Sequence, residues 1–230
     1  MGTTIIEQPS IEVFGILLQE PVTTLTDLLV SIICFYAYWK LKKHSIPGGT
    51  IFYMNLYFLF MGLGTAFGGL IGHGFQYLFS ENWKILGWFI SMFSIMLIER
   101  SAIIYAKHII KPALGKLFLQ LNIFELVVMM GFAAYTLDFK FVEFHCVYGL
   151  LVVVFSFHLY TYIKTKSMGS RYVLQAIVIL AAAMFIYDFP IVLHAWFNHH
   201  DLAHVIMAFS SILLIKAAIR MKDNPEIKYK

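Results

Sequence analysis

Residues 172–187 read YVLQAIVILAAAMFIY and contain no charged side chain. Apolar runs of this kind continue for about 20 residues, the length that a helix needs to cross the hydrocarbon core of a bilayer. The strands of a membrane β-barrel would instead alternate between polar and apolar residues. The pattern therefore predicts an all-α membrane protein with seven transmembrane helices, which we place at residues 19–41, 51–79, 84–107, 113–136, 141–164, 172–197 and 199–221.

The composition of the whole chain agrees with this class. Of the 230 residues, 60% are hydrophobic and 13% are charged, and the mean hydropathy is +0.77. A soluble domain is usually about 45–50% apolar and about 25% charged. Disorder, a cytosolic enzyme, collagen and a disulfide-rich secreted module are therefore excluded. We expect one domain over residues 1–230, with no secretory signal, because residues 1–18 carry no basic residue.

The distribution of Lys and Arg predicts the orientation. Fifteen of the 17 basic residues fall in the connections on one side of the predicted bundle, and Lys84 and Lys140 are the two on the other side. Positive loops face the cytoplasm, so we expect the N-terminus outside and the C-terminus inside. The protein is expected to be a multi-pass component of a plasma or inner membrane. Its basic residues flank the bilayer as a band, which gives no support to nucleic-acid binding, and the oligomeric state is not indicated.

Polar groups collect near the predicted outer end of three helices. On the first helix, Glu20 and Asp27 lie on one face with two threonines, at spacings of three, four and seven residues. His73 lies on a glycine-rich face of the second helix, where close packing against neighbours is expected. His200 and His204 begin the last helix at i and i+4, a spacing that allows two imidazoles to hold one metal ion.

These residues have the composition of a catalytic zinc site. Three histidines from two helices, with a carboxylate nearby, leave one coordination position open for water. Such an ion polarises a carbonyl and lowers the pKa of its bound water, while the carboxylate acts as a base or orients a ligand. Asp188 is expected in the same outer third, just before Pro190. A structural hydrogen-bonding role for each polar residue is the alternative interpretation.

The arrangement resembles a superfamily that contains alkaline ceramidases, progestin and adipoQ receptors and the Per1 remodelling proteins. The resemblance rests on seven helices, an acidic first helix, a histidine late in helix 2 and His-x-x-x-His at the start of helix 7. It implies that His73, His200 and His204 bind zinc in a hydrolase of a lipid-like amide or ester. Gly69 stands where the family usually has Ser, and in place of the Asp that is typical near the start of helix 3 only Glu81 could stand in. Asp27 or Glu20 is therefore predicted to supply the catalytic carboxylate.

Three other functions stay open from the sequence. A receptor or sensor would use the same metal site structurally, without turnover. A haem-binding electron carrier would need paired histidines on facing helices. The histidines available to it are His73, His145, His158, His194 and His204. A proton or ion transporter would use the buried carboxylates Asp27, Glu125 and Asp188, although the chain lacks repeat symmetry.

The predicted cytoplasmic half contains fewer polar groups. Glu99 and Arg100 are expected to form a structural ion pair with each other, or with Glu125 or His158. Lys216 lies near the cytoplasmic end of the last helix, where a long basic side chain reaches the interface. A retinal protein is excluded because it requires a lysine midway along that helix.

Overall fold

Seven helical spans are each long and apolar enough to cross a membrane in this computed structural model, which describes residues 8–188 and 193–222. The spans are Pro21–His44, Thr50–Gly74, Lys84–Ala106, Pro112–Thr136, Lys140–Thr165, Met168–Tyr187 and His199–Met221. The predicted all-α class and seven apolar helices are thereby confirmed. The side chains of Glu81, Asp188 and Lys222 lie outside the described part.

Eight α-helices and two π-helical segments build these spans. The helices are α1 Pro21–Leu41, α2 Thr50–Phe67, α3 Lys84–Ala106, α4 Pro112–Thr136, α5 Lys140–Val147, α6 Phe155–Thr165, α7 Met168–Asp188 and α8 His199–Lys222. The first π segment, Gly68–Gly74, continues α2, and the second, Tyr148–Val154, joins α5 to α6. Short 3-10 turns occupy Lys42–His44, Gln76–Leu78 and Glu81–Trp83. A π-helical turn is rare and is often found at functional sites.

A small β-hairpin, which the sequence did not predict, precedes α1. Strands β1 Ile11–Val13 and β2 Ile16–Leu18 pair antiparallel, with Ile11 opposite Leu18. Both residues of the connecting turn, Phe14 and Gly15, have positive φ angles, as a type I′ turn requires. Directly after the hairpin, the Gln19 N–H donates to the Gly74 carbonyl at 2.9 Å. The hairpin is thereby joined to the end of the first π segment.

Local signals fix where α1 begins. Pro21 occupies the first turn of α1, where a missing N–H is tolerated. The first N–H groups of a helix have no partner within the helix. Gln8 supplies one, because its Oε1 accepts from Val22 N at 2.9 Å and from Thr23 N at 3.3 Å. A residue from before the hairpin therefore caps α1.

The packing places α1 between the span that ends with His73 in its π segment and helix α8, which carries His200 and His204. Helix α1 packs against α2 and α8, α2 packs against α3, and α7 packs against α8. The buried side chains include Val30, Cys34, Phe58, Ile95 and Leu214. Helix α4 lies at the periphery and exposes many large apolar side chains, among them Phe124 at 66% and Val127 at 61%. An apolar surface of this kind is suited to contact with lipid.

Two predicted helix ends were wrong. The second span ends at Gly74 and not at residue 79, because Phe75 leaves the helical conformation and a 3-10 turn follows. The sixth span was predicted to reach residue 197, but α7 ends at Asp188. Within residues 193–198, His194 and Phe197 exchange backbone hydrogen bonds of 3.1 and 3.0 Å. Apolar composition alone does not distinguish this turn from a helix.

Candidate metal centre

One end of the bundle brings together all five residues that the sequence predicted for the site. Asp27 comes from α1, Glu20 directly precedes it, His73 lies in the first π segment, and His200 and His204 lie in the first turns of α8. The ring centroid of His73 is 6.1 Å from that of His200 and 6.4 Å from that of His204. We call these five residues the histidine site.

Gly69 allows the π segment to approach α1. A Cβ atom at this position would lie 2.8 Å from the Asp27 Cβ and 3.2 Å from the Thr24 carbonyl oxygen. Real Cβ atoms essentially never come within 3.0 Å of another heavy atom, so a larger residue requires α1 to move. The Asp27 carboxylate consequently lies beside the position where the resembling family has Ser.

His73 is held by a carboxylate on each side of its ring. Its Nδ1 lies 2.6 Å from Glu20 Oε2, and its Nε2 lies 4.0 Å from Asp27 Oδ2. A carboxylate accepts, so Nδ1 donates to Glu20 and Nε2 is directed toward Asp27. Burial alone would raise the pKa of Glu20, but the hydrogen bond and positive charge of His73 hold that pKa below its ordinary value.

The tautomer of His204 follows from its threonine partner. The Thr26 hydroxyl donates to the Thr23 carbonyl at 3.0 Å, so toward His204 Nδ1, 3.1 Å away, it can only accept. Nδ1 therefore carries the proton. The opposite nitrogen, Nε2, lies 3.4 Å from Asp27 Oδ1. Both His73 and His204 thus direct Nε2 at the same carboxylate.

A capping box sets the start of α8 and with it the direction of His200. Asp201 Oδ2 accepts from Asn198 N at 2.7 Å, while Asn198 Oδ1 accepts from the backbone N–H groups of His200, at 2.9 Å, and of Asp201. Gln8 also donates to Asp201 Oδ2, at 3.1 Å. Asp201 is therefore structural. The His200 ring packs on Tyr187, with centroids 4.9 Å apart.

The hydrogen-bond partners of the histidine site resemble those of metal-ligating histidines, but its three imidazoles lie too far apart to hold one ion without moving. Metal-ligating histidines usually donate their second ring nitrogen to a carboxylate or another acceptor, as His73 and His204 do here. Tetrahedral zinc with nitrogens at about 2.0–2.1 Å places neighbouring ring centroids about 5 Å apart, so the rings would close by about 1 Å. The site opens at one side, because the side chains of His73 and Glu20 are 27% and 32% exposed, against 7% for Asp27.

The remaining sequence candidates lie elsewhere. His194 is exposed, and its Nδ1 accepts from Trp196 N at 3.2 Å. His158 is buried, with Nδ1 3.1 Å from Ser170 Oγ. The side chain of Asp188 is outside the described part of the chain. Of the five histidines available to a haem, only His73 and His204 come within ring contact of each other, and Asp27 faces both Nε2 atoms.

Among the described residues, Glu99 and Arg100 do not form the expected ion pair with each other. Arg100 lies over the ring of Tyr53, 5.3 Å from its centroid, and donates to the Leu119 carbonyl. Glu99 instead joins Glu125 and His145 in a second cluster. No pattern in the sequence indicates this cluster, because its members lie on three helices with no shared spacing. The one available signal was the buried Glu125, which the sequence offered as a possible partner of Glu99 or Arg100.

The fold and the site define a multi-pass helical membrane protein with a candidate metal centre at one end of the bundle. The chain belongs to a family of unknown function, DUF6962, whose model matches residues 22–223. The match includes Asp27, His73, His200 and His204, while Glu20 precedes it. Searches of curated proteins and of solved structures found no match. The resemblance to the alkaline ceramidase and adipoQ receptor superfamily therefore stays a prediction.

Proposed function

We propose that this protein is a zinc-dependent membrane hydrolase that cleaves a lipid-like amide or ester. One observation carries the proposal: His73 and His204 have Nδ1 engaged by other side chains and direct Nε2 at the buried carboxylate of Asp27. In their neutral forms both imidazoles would turn a lone pair toward one carboxylate, an arrangement that needs a positive charge, supplied either by a proton on His73 or by a metal ion. A metal ion at this point would satisfy all three groups.

His73, His200 and His204 would hold the zinc ion. Bound zinc would polarise the substrate carbonyl and lower the pKa of a water molecule. Asp27 would act as the base that takes a proton from the attacking water and returns it to the leaving nitrogen or oxygen. Glu20 was predicted as a catalytic residue, but its contact with His73 Nδ1 supports a positioning role.

The depth of the site supports a substrate that lies in the membrane interface. His73 is one residue from the end of its span, and His200 is the second residue of its own span. Asp27 lies six residues into α1, which corresponds to a depth of about 9 Å. The amide and ester linkages of lipids lie between headgroup and acyl chain, at a comparable depth. With the orientation that the basic residues predict, this would be the outer face.

Metal analysis tests the proposed ligands. The full chain, purified in detergent and analysed for zinc, is expected to lose the ion at this site in His73→Ala and in His204→Ala. His108→Ala is the matched control, because His108 is exposed in the connection between α3 and α4. Unchanged zinc content in both ligand variants, relative to this control, would contradict the proposal.

Turnover distinguishes an enzyme from a sensor with the same site. A panel of fluorescent lipid amides and esters in mixed micelles is expected to contain a substrate that is hydrolysed by the wild type. Asp27→Asn is expected to lower kcat by about 10²–10⁴-fold while zinc is retained, since it removes a general base. Zinc binding without hydrolysis of any amphiphile would support a receptor or sensor. A Soret band in the purified protein would support the haem carrier.

A further inference from the structure

A second cluster of ionisable side chains lies in the interior of the bundle, outside the histidine site. Glu99 from α3, Glu125 from α4 and His145 from α5 each place one ligand atom within 4.8 Å of the other two. Glu99 is 1% exposed, and the side chains of His145 and Glu125 are 0% and 15% exposed. We call these three residues the core triad.

A backbone hydrogen bond fixes the protonation of His145. Its Nε2 lies 2.9 Å from the Met92 carbonyl oxygen, and a carbonyl can only accept. Nε2 therefore carries a proton. In a neutral ring this leaves the lone pair on Nδ1, which faces both carboxylate oxygens of Glu125 at 2.8 and 2.9 Å. A lone pair against a buried carboxylate is unfavourable, so a proton or a metal cation must lie between them.

The Glu99 carboxylate is only partly satisfied by hydrogen bonds among the described residues. Its Oε2 accepts from Asn122 Nδ2 at 3.1 Å, but Oε1 has no hydrogen-bond partner among the described residues. The amide oxygen of Asn122 is likewise buried without a partner there. Buried charges are normally paired or coordinated to metals. If one proton is shared by His145 and Glu125, the Glu99 carboxylate is left without a cation of its own.

The basic side chain next to the triad does not supply the missing charge. Arg100 follows Glu99 in sequence but contacts Tyr53 and the Leu119 carbonyl instead. In the part of the chain that the structure describes, neither triad carboxylate forms an ion pair with Lys or Arg. Two carboxylates and a neutral imidazole carry two negative charges, which one divalent cation would balance.

The second π segment makes room for Glu99. A Cβ atom on Gly149 would overlap the Glu99 carboxylate and lie 2.5 Å from Ile95 Cγ2. The absence of a side chain at this position, inside Tyr148–Val154, therefore admits the carboxylate. Local departure from α-helical geometry beside buried ionisable groups is common at functional sites.

We propose that the core triad binds a divalent first-row transition-metal ion, at a second site separate from the histidine site. One imidazole nitrogen with two carboxylates suits Mn²⁺, Fe²⁺ or Zn²⁺ better than Ca²⁺, which prefers an all-oxygen shell. The Nε2 hydrogen bond to the Met92 carbonyl fixes the tautomer that exposes the Nδ1 lone pair, as in other metal-ligating histidines. The ion replaces the proton between Nδ1 and Glu125 and gives Glu99 a partner.

The double variant His73→Ala/His204→Ala isolates the core triad from the histidine site. This full-length protein is stripped with a chelator and then dialysed against Mn²⁺ or Zn²⁺ in separate experiments. About one ion per chain is expected with at least one of the two metals. No bound ion with either metal would overturn the proposal and would leave a proton as the shared cation. This readout is independent of hydrolysis and of the first site.

Substitutions within the triad identify the ligands. In the same double-variant background, Glu99→Gln and His145→Gln are each expected to lose the remaining ion. Glu143→Gln, on α5 but outside the triad, is the matched control and should retain it. If Glu99→Gln does not fold, Glu99→Asp keeps the charge and is expected to weaken binding about 10–100-fold. Ion content equal to that of the control in these triad variants would overturn the assignment.

Discussion

Replacing Gly69 with Ala tests whether the histidine site depends on close contact between the first π segment and α1. In an ordinary helix this change is stabilising by about 0.5–1 kcal/mol, because Ala loses less backbone entropy on folding. Here the added Cβ would lie 2.8 Å from the Asp27 Cβ and 3.2 Å from the Thr24 carbonyl oxygen. Neither atom is the end of a flexible side chain, so the two helices have to separate.

The size of the effect follows from these distances. Carbon atoms make their best contact at about 3.5–4.0 Å, so the helices must separate by about 1 Å. Overpacking of this kind costs about 1–3 kcal/mol, which exceeds the gain in helix propensity. We expect Gly69→Ala to destabilise the protein by about 1–2 kcal/mol. Because Asp27 moves with α1, activity is expected to fall up to about 10²-fold, as for other 1 Å displacements of catalytic groups.

Thermal unfolding in detergent, together with the hydrolysis assay, measures both effects. Gly131→Ala is the matched control, since Gly131 lies within α4 and a Cβ there meets nothing within 4 Å. The control is expected to unfold at the same or a slightly higher temperature. A Gly69→Ala protein as stable as Gly131→Ala, with unchanged activity, would refute the close contact.

Three further predictions concern groups around the histidine site. Thr26→Val removes the acceptor of the His204 Nδ1 proton and is expected to weaken zinc binding about 10–100-fold, measured by equilibrium dialysis. Thr23→Val is the matched control, because the Thr23 hydroxyl has no hydrogen-bond partner among the described residues, and zinc binding should be unchanged in it. Because the folded protein lowers the pKa of Glu20, ionised Glu20 stabilises the metal-free fold at pH values above 4.5, its ordinary pKa, and this stabilisation is lost as the pH falls through the lowered pKa. Glu20→Gln should therefore flatten the acid side of a plot of Tm against pH. Parallel curves for the variant and the wild type would contradict this. Asp201→Ala breaks the capping box and should cost about 0.5–2 kcal/mol in thermal unfolding, and an unchanged Tm would show that the cap is dispensable.

The sequence was sufficient for the number and approximate positions of the spans and for the composition of the histidine site. Continuous apolar runs indicate helices whatever their neighbours, and the i, i+4 spacing of His200 and His204 places them on one face. What joins this pair to His73 is the position of α1 between α2 and α8, which no local pattern encodes. Asp27 was a candidate because a carboxylate two turns inside an apolar helix is costly without partners.

Other parts of the site depend on contacts between distant residues. Gln8 reaches Asp201 and the first turn of α1, and Thr26 sets the tautomer of His204, but neither residue type is distinctive in an N-terminal segment or a helix. The core triad is missed for the same reason, since its residues come from three helices. Tertiary packing, and not local propensity, places all of these groups.

The two clusters share a construction that explains why both lie beside π segments. Each segment has glycine as its second residue, Gly69 and Gly149, and a carboxylate-bearing side chain from another helix, Asp27 or Glu99, lies against the missing side chain. In each cluster one histidine, His73 or His145, lies four residues, about one helical turn, from that glycine. A carboxylate buried among apolar helices needs both space and a partner, and the glycine provides the space. The histidine one turn away then lies near the same carboxylate, although among the described residues the core triad alone brings three ligand atoms within 4.8 Å of one another.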